Sequence, residues 1–469
     1  MNFLLRQRME RQGYKLTSID LFSGPGGLAT GFQWAGILPL IAVEWTNTTA
    51  KTYSINHNTE TLELSLYKSD QGYNEEYLSS FCYNTDKTIL IHGDVNLVTD
   101  DMILRLLNER YGINSVDETV DIVSGGAPCE SFSLAGQRKQ GDQRDDLFSN
   151  ITRIARAIHS KTILFENVKG MFSKKTTDGV KGGIFEYICN CFDDPNADVA
   201  YKLISRNPNE VLLRTCDYGV PQLRERLFLV SIRRDICETH IYSYPKPTFG
   251  NDREHPYITV SDAISDLPKV ESGEESESYS RPTSFKNPLQ ERFLRIMRGL
   301  KVDGMLSETP THLKHKFDSE SSLSFHKGPG HLKRKLELLA LIAPNSSMRE
   351  TYERLVTEGR IDQYRHLFPK TIYGSRNRRL NPNLPSYTIT SHCLDEMIHP
   401  NLNRAITPRE AARLQSFPDW YYFAGPYVEF HGSKDEDKYE QIGDAIPPLM
   451  AYALGKEFVK CLINDNEYE

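Results

Sequence analysis

No run in this chain approaches the ~18 consecutive apolar residues that a membrane span requires, so a protein free of the membrane is expected. Residues 1–13 are polar and charged and read as a short leader, unlike a secretory signal. Cysteine is sparse: eight in 469 residues, with only Cys189 and Cys191 close together. That usage fits a reducing cytoplasm and excludes a disulfide framework. Neither the Cys nor the His spacing has the form of a zinc site, so no metal is expected. Internal repeats are not evident, and there is no overall positive charge: the net charge of −7 is no sign of a nucleic-acid partner. Its distribution is uneven, however. Residues 281–380 hold 20 Lys/Arg and 10 Asp/Glu, which places +10 there and about −17 elsewhere. What is present, 39% apolar and 25% charged residues, suffices for a large core and two domains.

The stretch on which the chain turns is residues 121–136, DIVSGGAPCESFSLAG: a short apolar strand, a Gly125-Gly126 break, then Pro128-Cys129-Glu130 on a polar loop. A thiol just past a strand end is presented to a cleft, where a nucleophile belongs. A buried structural cysteine is the alternative reading of the same residues.

Residues 18–22 (SIDLF) are predicted as a strand, 23–27 (SGPGG) as a glycine-rich turn and 28–35 as a helix. Such a turn at the carboxyl end of a first strand is where nucleoside cofactors approach the backbone in open α/β sheets. The next strand, residues 40–43, ends in Glu44, an acid placed to take ribose hydroxyls, beside Trp45, which can cover a base; a solvated Glu-Trp pair is the plainer alternative. Residues 57–87 read as a polar insertion. A third strand, 88–92, ends in Gly93-Asp94, where Asp94 can accept from an exocyclic amine or serve only as a turn residue. Residues 142–148 lead into an amphipathic helix, and strand 162–165 ends in Glu166-Asn167-Val168, so two successive strands deliver a thiol and a carboxylate to one sheet edge. Strands follow at 211–214 and 226–232. Alternation places Gln222, Arg224 and Arg226 on one face, a solvated strand face being the alternative. From about residue 248 to 386 the periodicity weakens, as in a loop-rich second domain. Thr407-Pro408-Arg409-Glu410 has the residues of a capping box with proline at the first helical position, a helix following to 416, and QIGDAIPP at 441–448 opens a final apolar helix through 462.

Taken in order, DLFSGPGG at Asp20, Glu44-Trp45, Gly93-Asp94, GGAPCESFS at Gly125, residues 144–148, Glu166-Asn167-Val168, Gln222 with Arg224 and Arg226, TPREAARLQSFPD at Thr407 and QIGDAIPP at Gln441 resemble the DNA cytosine-5 methyltransferases of bacterial and phage modification systems. The resemblance spans nearly the whole chain. It is poorest at about 248–386, where that family varies its target-recognition region. Glu130 stands where the family commonly has Gln or Asn, and Asp444 where it commonly has Asn.

The resemblance implies an α/β, Rossmann-like S-adenosylmethionine-dependent methyltransferase sheet with a second, smaller target-recognition domain. Its segments would be the leader 1–13, a catalytic and cofactor domain 14–249, recognition domain 250–387, and 388–469 returning to the catalytic domain. It implies Cys129 as the nucleophile at carbon 6 of cytosine, Glu166 at ring nitrogen 3 and the amino group, Arg226 on the carbonyl oxygen and Arg224 on a phosphate. For S-adenosyl-L-methionine it implies Phe22 and Trp45 against the adenine, Gly24, Gly26 and Gly27 along the methionine part and Glu44 on the ribose. Asp94 would hold the adenine amine, with Leu28, Val95, Leu147 and Ala445 completing the pocket. The expected partners are double-stranded DNA, from which the base is flipped, and a cognate restriction endonuclease or related defence system; a monomer in the bacterial cytoplasm or nucleoid is expected. A tRNA methyltransferase of the same family is disfavoured by the long basic segment, and a silent DNA-binding regulator by the intact Cys129, Glu166 and Arg226. An amino-methyltransferase would need an Asp/Asn-Pro-Pro-aromatic loop, which is absent.

Overall fold

The structure is a computed structural model that describes residues 1–469 apart from 70–71, 115, 117, 128–146, 177–178, 281, 283, 320, 429–434 and 464–469. It divides into two compact units. The first comprises Met1–Arg214, Glu225–Lys246 and Met450–Glu469, and the second Thr215–Arg224 and Pro247–Leu449. This division falls differently from the expected segments: residues 388–449 group with the second unit rather than returning to the first.

The first unit is built on a nine-stranded, mostly parallel sheet. Its strands are β1 (Leu16–Leu21), β2 (Ile37–Glu44), β3 (Thr59–Glu63), β4 (Thr88–His92), β5 (Ile122–Gly125), β6 (Thr162–Val168), β7 (Tyr201–Leu203), β8 (Leu212–Arg214) and β9 (Glu225–Arg233). They lie in the order β8-β9-β6-β5-β1-β2-β4-β3, with β7 also on β9. This is the Rossmann-like α/β architecture expected. Strands β1 and β2 are buried at every residue, as central parallel strands covered on both faces must be. Pro39 lies within β2, which the sequence reading began only at Leu40. A register shift between Ser18 and Ile19 of β1 passes over Leu40 and absorbs the missing donor as a bulge. Residues 57–87 are not wholly an insertion: β3 joins the sheet as its edge, parallel to β4. With a single fully buried residue, Leu62, it carries no period-2 signal.

The chain returns to this unit in the helix Pro448–Leu462. There Phe458 packs edge-on to Phe32 at 6.0 Å and against Tyr242 at 4.8 Å. A Cβ at Gly455 would stand 2.8 Å from the Ala35 side chain, so the helix can lie this close only with glycine there. The single final helix expected from QIGDAIPP is two, Lys438–Asp444 and Pro448–Leu462. Pro447 and Pro448 cannot donate to a preceding turn, so Pro448 starts a helix instead of continuing one. No described helix is long and apolar enough to cross a membrane.

The second unit holds more helix than its weak periodicity announced, including Pro288–Met297, Lys333–Leu341 and Met348–Thr357. Two short ribbons accompany them: β10 (Glu275–Ser278) antiparallel to β11 (Ser322–Lys327), and β12 (Arg378–Arg379) parallel to β13 (Met397–Ile398). The capping box is present, with Thr407 and Glu410 closing the first turn of Pro408–Leu414 around proline. Every residue of that helix is buried. Its charges are neutralised in place. Arg404 grips Glu410 through two bonds of 2.8 Å. Arg413 reaches Asp419 at 2.7 Å and Asp266 at 2.8 Å. Arg298 meets Asp266 at 2.7 Å and lies 3.9 Å over the Tyr279 ring, whose hydroxyl donates to Asp419 at 2.7 Å. Burial alone would raise Glu410, but Arg404 brings its carboxyl down to about 2.

Truncating one member of such a network leaves buried charge uncompensated. Arg413→Ala should therefore destabilise the protein by about 3–5 kcal/mol in urea unfolding, and a loss below about 1 kcal/mol would mean that Asp266 and Asp419 are served by solvent.

Candidate active site

Strands β5, β6 and β9 bring the candidate chemistry together. Strand β9 runs antiparallel to β6 with Phe228 opposite Glu166 and Arg226 opposite Val168. Glu166 and Arg226 are thus diagonal neighbours on one face, and Arg226 Nε meets Glu166 Oε1 at 2.9 Å. Their side chains keep 15% and 16% exposure, so the pair can be reached from outside. Beside it, β5 ends in Gly125, in register with Phe165 of β6. Neither Gly125 nor Gly126 has positive φ. Both lie in close approach: a Cβ at Gly126 would stand 2.8 Å from Glu166 Oε2 and displace that carboxylate, and one at Gly125 would stand 2.8 Å from the Ile151 side chain. Asn167, buried, donates from Nδ2 to the Ala127 carbonyl at 3.1 Å. The chain is therefore pinned to β6 immediately before Pro128. Cys129, with Glu130 and Arg144, lies outside the described residues. It is three residues from Gly126, a reach of at most ~11 Å.

At the neighbouring strand ends a second group gathers. Phe22 and Gly24 take left-handed conformations (φ 56° each), Gly26 caps the helix Gly27–Trp34 at φ 98°, and a Cβ at Gly24 would meet nothing within 4 Å. The turn thus offers bare backbone to open space. Leu28 is buried within that helix. Glu44, nearly buried, turns back on the turn. Its Oε2 accepts from Gly24 N, and its Oε1 from Trp45 N and Thr46 N, each at 2.8 Å. Burial raises the Glu44 pKa against the pull of these backbone donors. Trp45 is 68% exposed. Gly93 N donates to the Glu44 carbonyl at 2.9 Å, so Asp94 follows directly, holding Asn96 N at 2.9 Å, with Val95 buried behind it. Asn150 Nδ2 ties Asn96 Oδ1 at 2.9 Å to the Leu147 carbonyl at 3.3 Å, which brings Leu147 to this group. Acids, aromatic faces and bare backbone together fit a nucleoside that carries positive charge. Pyrophosphate would meet the wrong sign.

The sequence reading used Asp20 only as a landmark. In the structure it is buried at the end of β1, with Oδ1 receiving Ser124 Oγ at 3.1 Å and Oδ2 without a hydrogen-bond partner among the described residues. Burial raises its pKa to about 7, with Ser124 opposing and the Glu44 charge adding to the shift. The available signal is an acid three residues before the glycine-rich turn, in a strand buried at every residue.

Gln222 and Arg224 do not share a strand face with Arg226. They precede β9, belong to the second unit and are buried, which removes the solvated-face alternative. Both clamp residues 386–391: Gln222 Oε1 accepts Ile389 N at 2.7 Å, Arg224 Nη1 donates to Ile389 O at 2.7 Å, and Leu223 N donates to Ser386 O at 2.8 Å. The phosphate contact expected of Arg224 finds only 1% of the residue exposed. Gly443 presses on the same strip, where a Cβ would stand 2.2 Å from the Thr390 backbone. Ala445 also lies in the second unit, its carbonyl 3.3 Å from Gln415 Nε2, while Asp444 is exposed at the helix end.

The family model for C-5 cytosine-specific DNA methylases matches residues 16–78 and 73–460. The type II methyltransferase M.DdeI of Desulfomicrobium norvegicum is 29% identical over 439 residues, covering 93% of this chain and 87% of that protein. The type II methyltransferase M.XorII of Xanthomonas oryzae pv. oryzae is 29% identical over 452 residues, covering 95% and 84%. Among solved structures, a prophage-encoded protein of Escherichia coli described as a DNA modification methyltransferase superposes with a TM-score of 0.63 at 23% identity, covering 96% of this chain and 99% of that one. At that identity the likeness bears on the fold alone.

The raised Asp20 fixes a sign. Its folded pKa of about 7 exceeds the ordinary carboxylate value, so the folded state binds the extra proton, and stability falls as pH rises from about 4 to about 7. Asp20→Asn should abolish that term. In thermal unfolding, the variant's midpoint relative to wild type should rise by at least ~2 °C between pH 5 and pH 8. A constant difference would mean that Asp20 is ionised throughout.

Proposed function

The chain belongs to the C-5 cytosine-specific DNA methylase family and is a DNA cytosine-5 methyltransferase, and from that premise we propose that it methylates carbon 5 of a cytosine flipped out of a specific duplex sequence, through a covalent Cys129 adduct at carbon 6. The observation that carries the reading is the Glu166–Arg226 pair, 2.9 Å apart, with the Gly126 backbone against the carboxylate. Carbon 5 of cytosine is a weak nucleophile until a thiolate adds at carbon 6 and pushes electron density into the ring. Cys129, close in sequence to the pinned Ala127, supplies that thiolate. Glu166 shares a proton with ring nitrogen 3 and holds the amino group. Arg226 neutralises charge growing on the carbonyl oxygen and, until the ring arrives, keeps the Glu166 carboxylate aimed. S-adenosyl-L-methionine, when bound, supplies the methyl group. Phe22 and Trp45 would face its adenine, Glu44 the ribose, Asp94 the amine, and the backbone of Gly24 to Gly27 its amino-acid part. Once carbon 5 has lost its proton, the restored double bond expels Cys129.

Duplex DNA is the substrate that the basic 281–380 segment supports, and the flipped base follows from stacking, which covers both faces of the ring through which carbon 6 must be attacked. The type II designation of the relatives supports a companion endonuclease acting on the same site. Arg224 serves in this reading as a positioning residue for strip 386–391.

Cys129→Ala should abolish transfer while retaining duplex binding, and a duplex carrying 5-fluorocytosine at the target should trap the wild-type enzyme covalently. Glu166→Gln and Arg226→Ala should each slow single-turnover methylation by ~100-fold or more with little change in cofactor affinity. Wild-type turnover by the Cys129 variant, or loss of cofactor binding with normal chemistry in either of the others, would overturn these roles.

A further inference from the structure

Residues 373–379, YGSRNRR, carry three arginines whose situations diverge. Arg379 is buried and spends its guanidinium on five acceptors: Ile342 O, Leu339 O, His399 O, Leu402 O and Asn403 Oδ1, all at 2.7–2.9 Å. It is an anchor. Arg376 and Arg378 are held differently, stacked over Tyr373 at 5.4 Å and over Tyr387 at 4.9 Å. Arg376 reaches one carboxylate, Asp395, at 3.9 Å, and Arg378 bonds only the Gly374 carbonyl, at 3.2 Å from Nε, among the described residues. Exposed Arg349 joins them: its Nη2 donates to Ile372 O at 3.0 Å, and its guanidinium lies 3.4 Å from where a Gly374 side chain would begin.

The segment that carries them is stiff. Asn377 is buried in a left-handed conformation (φ 53°), donates to Asp395 O at 3.0 Å, accepts Met348 N at 3.0 Å and takes Lys335 Nζ on its side chain at 2.6 Å. Glu350, which feels the Arg378 charge, is committed to the capping box of Met348–Thr357. Arginines that merely solvate a loop swing freely. Stacking on tyrosine removes that freedom in advance and leaves the planar N–H edge outward, the geometry that suits a phosphodiester.

We propose that Arg349, Arg376 and Arg378 form a preorganised edge that grips the sugar-phosphate backbone of the substrate duplex. This rests on the duplex-DNA reading above. The test is equilibrium binding of the full chain to two labelled duplexes across a salt series, one random in sequence and one bearing the site mapped by bisulfite sequencing of an expressing host. Arg376→Ala with Arg378→Ala should weaken both by ~10-fold or more and make the slope of log K against log salt shallower by about two, at an unchanged thermal midpoint. Arg376→Lys with Arg378→Lys, keeping charge without the stacked fork, should retain the slope at intermediate affinity. Unchanged affinity and slope in the Ala variant would overturn the proposal, as would a loss confined to the duplex bearing the site, which would mean base reading. Failure of the wild-type protein to bind either duplex would instead sink the duplex reading.

Discussion

The antiparallel register of β9 on β6 is the constraint on which the candidate site depends. Every other neighbouring pair from β6 across to β3 runs parallel. Reversing one strand places the two on the same face, two residues out of register, at the distance a guanidinium needs. A slip of one residue would turn Arg226 to the opposite face, away from Glu166. Leu227 to Ile232 are buried without interruption, so β9 is embedded on both faces of the sheet, and Arg226 stands at the half-buried start of that run.

The same economy explains the glycines. At Gly443 the structure requires the missing side chain because the Thr390 backbone approaches, and at Gly126 a side chain would displace the Glu166 carboxylate. These are distances set by neighbours remote in sequence. A reading based on conformational freedom finds the residue and misses the reason. In the second unit polar side chains are set in the same way. Arg224, expected on a phosphate, instead bonds the backbone of a passing segment, as do Gln222 and Gln415, and together they hold residues 386–391 and 442–445.

What the sequence made legible follows from how local its cause is. Strand β4 and the capping box at Thr407 depend on neighbours within a few residues, and both stand where the sequence places them. Strand β3 did not announce itself because an edge strand buries one residue and alternates nothing. Residues 37–39 were lost to Pro39, whose bulge is visible only against β1. The helices between 260 and 357 are amphipathic but short, each too brief to outweigh the Pro- and Ser-rich segments around it. The polar order of motifs located Glu166, Arg226 and Glu44, whereas Asp20 and Asn167 emerged only from contacts made across strands.

Those cross-strand contacts also bear on the ligand proposed for the glycine turn. A turn of this kind after a first strand suits many nucleotides, and backbone N–H groups at the head of Gly27–Trp34 would by themselves favour an anion. Two facts reverse that preference. Gly24 N is already given to Glu44, and Asp20 sits beneath the turn with one carboxylate oxygen unshared among the described residues and a pKa raised to about 7 by burial, the nearby Glu44 charge adding to it. Bringing a pyrophosphate here would add charge of the same sign to carboxylates already strained by desolvation. In the proposed reading a sulfonium or ammonium group would do the opposite, stabilising the ionised forms of Asp20 and Glu44. Selectivity at such a site is thus carried less by the glycines, which any nucleotide could use, than by the acids packed behind them.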